Sequence, residues 1–234
     1  MLRRQALFSI VAVALSGAPM VVAETDGDKL VADSRATLSH FENDQDVSWF
    51  RDHVGDAKGL MISPKVVKAG FIFGGSGGHA VLLHKDPETG RWTGPAFYSL
   101  ASGSFGFQAG VEVMELATLV MTERGFNALL SSSFKLGGDL SVAAGPIGGG
   151  ARSNVVADFV TFSRAKGVFG GLDLEGIVVR VDRDVNESYY HPGIQPPDIL
   201  IRPRVSNERA SALVSLVERI AALHSKHEPE TGTK

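Results

Sequence analysis

Cysteine is absent from this 234-residue chain, and with it go disulfides, thiolate metal sites, a cysteine nucleophile and a lipidated cysteine behind an export signal. Beyond the first two dozen residues there is no apolar run approaching the ~20 residues that a membrane-crossing helix needs. Nucleotide signatures are missing as well. No G-K-[ST] follows any glycine loop and no G-x-G-x-x-G opens a helix in a βαβ unit, so neither an ATP nor an NAD site is expected, nor any other cofactor. Bases are in short supply: 23 Lys and Arg face 26 Asp and Glu, a formal charge of −3. That speaks against a nucleic-acid partner, which wants a basic face. What is present is an ordinary globular composition, 44% apolar and 21% charged, enough for one sizeable core.

The first segment reads differently from the rest. MLRRQ followed by ALFSIVAVALSGAPMVVA has the layout of a secretory signal, with small residues at Val21-Val22-Ala23 before the expected cleavage. Removing 1–23 takes away Arg3 and Arg4 and leaves a net charge of about −5. The Arg3-Arg4 pair leaves the general secretory and twin-arginine routes both open, the context fitting the former better. The expectation is an exported protein, periplasmic or secreted and peripheral to a membrane.

Glycine and proline are sparse in 24–57, where Leu30, Val31, Leu38 and Phe41, then Val47, Phe50 and Val54, recur at helical spacing. Two helices are expected, broken near Asn43-Asp44. Over 58–190 glycine becomes frequent and β-prone runs follow one another: GLMIS, AGFIFGG, HAVLLH, AFYSLAS, GVEVMELATLVM, NVVADFVTFS and LEGIVVRVD. Asp86-Pro87-Glu88-Thr89-Gly90 reads as a hairpin turn, Ile177–Arg183 as a half-buried strand and Thr122–Ser131 as a short helix. In 191–226, HPGIQPPDILIRP reads as an extended surface connection. A helix follows it, with Ser206 as N-cap, Glu208 in the first turn and a stripe of Leu213, Val214, Val217, Ile220 and Leu223. The tail 227–234 reads as disordered. The fold class expected is α+β: a single β-rich domain, an antiparallel twisted sheet or barrel-like, with N-terminal helices and a C-terminal helix.

Three chemistries compete for the glycine stretch Gly74-Gly75-Ser76-Gly77-Gly78. As G-x-S-x-G it could present Ser76 as a hydrolase nucleophile, with Asp173 or Asp184 and His191 as partners, but that elbow needs a helix next and AVLLH reads as a second strand. As a glycine-rich passage between strands, Gly74, Gly75, Gly77 and Gly78 would mark positive φ or close backbone approach. No catalytic residue and no metal site are expected; His79 and His84, five apart, fall on opposite faces of a strand. The third reading is a phosphate rim. Lys58, Lys65 and Lys68 stand in KGLMISPKVVK without an acid, and Arg164 and Lys166 flank Gly170 and Gly171 in SRAKGVFGG, cations that can hold phosphate oxygens or simply line a solvated loop.

Four ordered blocks carry a resemblance. KGLMISPKVVKAGFIFGGSGGHAVLL, GPAFYSLASGSFGFQAGVEVMELATLVM, LGGDLSVAAGPIGGGA and FSRAKGVFGGLDLEG together resemble the SYLF domain over about residues 58–182, a lipid-binding module also found in a fungal actin-patch protein. The resemblance implies a non-catalytic β-rich domain. It implies membrane-lipid binding, for an exported bacterial member phosphatidylglycerol or cardiolipin; joined with the charge clusters above, it makes Lys65, Lys68, Arg164 and Lys166 the residues expected to meet an anionic phospholipid or phosphoinositide-like head group. It implies, alternatively, a protein partner, actin-like or in the envelope. Trp49 and Phe50 are the residues offered for membrane contact, or else for packing on the β core. One feature opposes a lipid surface: 24–57 holds nine acids against three bases, a charge that an anionic bilayer repels.

Overall fold

The computed structural model describes residues 24–70, 73–105, 110–138, 140–148, 155–171, 176–202 and 205–224. The expected signal (1–23) and tail (227–234) lie outside them.

The chain opens with α1 (Asp26–Asn43) and α2 (Ser48–His53), separated at Asp44 by one 3-10 turn, where the sequence places a break. Thr25 starts α1: its Oγ1 accepts from the Asp28 amide, and the Asp28 carboxylate accepts from the Thr25 amide, a reciprocal cap of the first turn. Buried Val31, Ser34, Leu38 and Phe41 form a stripe at three- and four-residue spacing.

Four long strands follow, β1 (Gly59–Gly70), β2 (Phe73–Lys85), β3 (Trp92–Phe105) and β4 (Gly110–Val120). Then come α3 (Glu123–Leu129), β5 (Ser133–Lys135), β6 (Val142–Ala144), β7 (Phe159–Ala165), β8 (Val168–Gly171), β9 (Val178–Val181), α4 (Arg183–Tyr189), α5 (Pro196–Leu200) and α6 (Ser211–His224). The strands make one curled, half-barrel sheet in the order β5-β9-β3-β2-β1-β4-β7-β6, with β8 also on β7. Every pair is antiparallel except β6–β7. The fold is α+β, with helices at both ends of the described residues.

The continuous apolar runs have a physical cause. Leu60, Ile62, Val81, Leu83, Phe97, Ala117, Leu119, Val160 and Phe162 pack on one face with α1, α2 and α6. Met61, Ala80, Leu82, Tyr98, Leu100, Leu116 and Phe159 pack on the other with α3, α5, Leu136 and Leu140. A strand buried on both faces loses the polar alternation of a one-sided sheet.

The alternation also shifts register once. Pro64 sits where β1 slips against both neighbours, between Ile62 and Lys65 on β2 and between Ser63 and Val66 on β4. An extra residue there reverses which side the following residues face, and proline, with no N–H to give, is at home in a bulge. Before it Leu60 and Ile62 face α1; after it Val66 joins the opposite core, so Lys65 and Val67 turn toward α1 and Lys68 turns away.

Several expectations are corrected. Gly74 to Gly78 do not form a bend: they lie inside β2, paired with β1 from Gly74 to His79 and with β3 from Ser104 to Ser99. Close approach explains part of the glycine usage there, since a Cβ on Gly78 would stand 2.5 Å from the Lys65 carbonyl and one on Gly75 2.9 Å from that of Ser102, while Gly77 has room. HPGIQPPDILIRP is not an extended surface strap: Pro196 and Pro197 open α5, and Ile194, Ile199 and Leu200 are buried. Proline at a first helical turn gives up only an N–H that has no intrahelical partner. Ser206 is not the cap of the last helix; Asn207 accepts from the Arg209 amide and starts a 3-10 turn that runs into α6. Leu223 is exposed there and Leu216 takes its place in the core. The strand in NVVADFVTFS begins only at Phe159, Val156 being exposed.

Candidate functional site

Beside α1 lies an open cleft of about 440 Å³, lined by Asp33, Thr37, Lys65, Glu115, Arg164 and Lys166 among others. Three of the four cations expected to act together are therefore neighbours. Lys65 arrives through the Pro64 bulge, Arg164 from the end of β7, and Lys166 from the β7–β8 turn, where it takes a φ of 50° next to Gly167 at 80°. Two successive left-handed residues make a tight hairpin turn.

Lys68 is not part of this group. It pairs in register with Ser76 and Glu112 on the opposite face of the sheet. Gly75 and Gly170 do not converge either: Gly75 is level with Ala69 on β1 and Gly170 with Ser163 on β7, positions roughly 20 Å apart along the strands at the usual rise.

Within the cleft Glu115 is the internal counter-charge. Arg164 Nη1 donates to Glu115 Oε2 at 2.9 Å, Thr37 Oγ1 donates to Oε1 at 3.2 Å and His40 Nδ1 lies 3.0 Å from Oε2. The guanidinium also lies 5.8 Å from the Phe169 ring centroid, within cation–π range. Arg164 thus ties α1, β4 and β7 together and is half-spent, whereas Lys65 and Lys166 are exposed and have no ion-pair partner among the described residues.

Trp49 and Phe50 are 5% and 0% exposed. Trp49 stacks on His53 and meets Phe162; Phe50 meets Phe41 and Phe162. In this fold they pack on the β core, and a membrane contact through them requires α2 to leave the sheet. The acidity of 24–57 is partly answered from the C-terminal region, where Arg209 binds Asp28 and Arg219 holds Glu42 at 2.9 Å. Lys29 also pairs with Asp33 along α1.

Ser76 Oγ lies 2.7 Å from Ser102 Oγ, and β2 continues through Lys85 where a hydrolase elbow would turn into a helix. His79 bonds Asp182 at 2.9 Å but belongs to the other face of β2. His191 Nδ1 lies 3.1 Å from the Pro192 carbonyl. The described residues offer no group of three His, Asp or Glu placed to hold a metal ion. His84 is buried against Phe126, ring centroids 3.9 Å apart, with Nδ1 2.8 Å from the Lys58 carbonyl. Burial lowers its pKa, opposed by the Lys58 carbonyl.

Two polar centres escaped sequence reasoning because each draws partners from distant segments. Asp158 accepts from Thr122, Arg124 and Ser141 and so fixes the β4–α3 corner to β6 and β7. Burial would raise its pKa, but those hydrogen bonds prevail and hold it well below the usual carboxylate range. Asn186 stands in for a strand: its Oδ1 accepts from the Phe97 amide at 3.0 Å and its Nδ2 donates to the Phe97 carbonyl at 2.9 Å.

A family model described as Ysc84, Las17-binding protein actin regulator, matches residues 101–220. The SH3 domain-containing YSC84-like protein 1 of Bos taurus is 32% identical over 175 residues, covering 71% of this chain and 51% of that protein. The human protein of the same name is 31% identical over the same shares. Protein YSC84 of Saccharomyces cerevisiae is 28% identical over 179 residues, 74% of this chain and 38% of its own length. The chain spans about half the length of the animal relatives it matches.

Proposed function

Because the chain belongs to the Ysc84 (SYLF) family, we propose that it is a non-catalytic interaction module that binds a protein partner, an actin-like filament or an envelope protein. The observation that carries this reading is the family match over 101–220, which runs from the outer part of β3 through α6 and includes Arg164 and Lys166. The module presents a sheet whose outer strand ends carry no covering helix among the described residues. Co-sedimentation of residues 24–234 with purified actin filaments is the test. Saturable binding that persists without lipid is expected; absence of the chain from the pellet at every filament concentration, with no bound bacterial actin-like filament either, removes the reading.

A second reading rests on Lys65, Arg164 and Lys166 sharing one cleft. Those cations suit an anionic phospholipid head group. Binding to phosphatidylglycerol or cardiolipin vesicles should exceed binding to neutral phosphatidylcholine vesicles and should weaken as salt rises. Equal binding to both vesicle types excludes a head-group site. Lys68, on the other face, is left out of this reading, and Lys68→Ala should not change it.

Export belongs with these proposals. The layout of residues 1–23 supports a cleaved signal and a location outside the cytoplasm. N-terminal sequencing of the protein from its native cell is the check: a first residue at Glu24 is expected, and a retained Met1 opposes it.

A further inference from the structure

β4 changes neighbours along its length. From Met114 to Val120 its outer side is paired with β7, beginning at Met114 opposite Ala165. From Gly110 to Val113 its inner side stays paired with Val67–Gly70 of β1, but among the described strands none lies beyond it. β7 leaves that line because Lys166 and Gly167 turn the chain back into β8. What remains is a four-residue backbone edge whose outward N–H and C=O groups meet no strand among the described residues, a template for an added strand.

Natural edges of this kind are usually blunted by lysine, proline or a bulge. Here the side chains on the α1 side of the edge are Val111 and Val113, 73% and 48% exposed, with Val67 and Ala69 opposite them on β1. At the inner end, where β7 would have run on, stand Lys166 and Lys65, in the same cleft as Val113. The edge therefore offers a backbone ladder, two apolar side chains and, in the cleft at its inner end, two cations with no ion-pair partner among the described residues.

We infer that Gly110–Val113 receives an extended segment of a partner protein, which adds to the sheet as a strand antiparallel to β4, in line with β7. Its apolar side chains at alternate positions cover Val111 and Val113, and an acidic residue at its N-terminal end meets Lys166 and Lys65. This rests on reading the chain as a protein-binding module and names its surface. A second copy of the chain fits less well, since the register that pairs the whole Val111–Val113 edge with itself sets Glu112 against its own copy, a like-charge pair.

The test uses two capped hexapeptides with valine at alternate positions and threonine between, one beginning with glutamate and the other with lysine. Each is titrated into residues 24–234 while backbone amide exchange is followed. The glutamate peptide should slow exchange at Gly110–Val113 and bind about fivefold tighter than the lysine peptide, the scale of a partly exposed ion pair. Lys166→Asp, which keeps a residue tolerant of positive φ, should invert that preference. Val111→Lys combined with Val113→Lys should abolish the protection without moving the melting temperature. Equal binding by the two peptides, protection elsewhere, or none at millimolar peptide overturns the inference. If filaments still co-sediment with the chain while neither peptide protects the edge, the edge assignment falls and the module reading stands.

Discussion

The same four strands pass through two environments. In their inner halves β1 to β4 are sandwiched, so that Leu60, Ile62, Ala80, Val81, Leu82 and Leu83 are all 0% exposed. In their outer halves the sheet continues with its hydrogen bonding intact, yet Lys68, Ala69, Gly77, Ala101 and Val111 are exposed. Pairing among β1 to β4 runs through both halves, while β7 accompanies β4 only from Met114 to Val120. The difference lies in the layers: α1, α2 and α6 on one face and α3, α5, Leu136 and Leu140 on the other end before the strands do. Stability should therefore reside in the inner half and recognition in the outer half.

Removing the buried carboxylate of the inner half should have the largest effect. Asp158→Ala removes the acceptor shared by Arg124, Thr122 and the Ser141 amide, and a loss of about 2–4 kcal/mol is expected in urea unfolding, the cost of stranding several donors beside a mostly exposed arginine. If the loss were below 1 kcal/mol, the inner half would not be the stabilising one. The same residue contributes to the acid sensitivity. Its folded pKa is held below the ordinary 3.8, so its contribution is full above that value and is lost as pH falls from there through the folded value. The stability gap between wild type and Asp158→Asn should accordingly shrink between pH 5 and pH 2 as read by unfolding midpoints.

Glycine substitutions in β2 come next and sharpen the boundary. Gly78→Ala drives a Cβ to 2.5 Å from the Lys65 carbonyl at the Pro64 bulge, and a loss of about 1–3 kcal/mol is expected from the forced backbone shift. Gly77→Ala, with its nearest atom 3.8 Å away, should be neutral or slightly stabilising. Similar losses at both positions, measured by thermal unfolding, would mean that the outer sheet is tighter than its exposure suggests.

A weaker pH effect belongs to His84. Burial lowers the His84 pKa below 6.5, so the unfolded chain takes up the proton first and stability falls as pH drops through that value. His84→Phe should remove that slope, seen in melting temperature between pH 7.5 and pH 5.5. Smallest of all, Ser76→Ala and Val111→Lys in the outer half should each stay within about 0.5 kcal/mol of wild type.

Much of the fold was legible because it is local. The break at Asn43-Asp44, the Asp86–Gly90 turn, in which the Asp86 carboxylate accepts from the amides of Glu88 and Thr89, and the alternating strand from Val178 to Val181 each depend on a few adjacent residues. α5 was hidden because prolines signal an extended chain and a helix start alike, and only burial of Ile199 and Leu200 decides between them. The glycine stretch misled for a similar reason: glycine marks a bend, and it also marks a strand lying against a neighbour's carbonyl.

For the site, the sequence supplied the cations but not their grouping. Lys65 and Lys68 are three residues apart in an apparent strand, which by itself predicts opposite faces; what set Lys65 beside Arg164 was the Pro64 bulge together with the path of α1. By itself the sequence determined the fold class, most of the elements and the family, because periodicity, turns and ordered motif blocks act over short distances. Tertiary structure alone decided that Trp49 and Phe50 belong to the core, that Asp158 gathers three segments, and that residues 110–113 of β4, with no described strand beyond them, lie beside Lys65 and Lys166, because each depends on which distant strand or helix lies next to it.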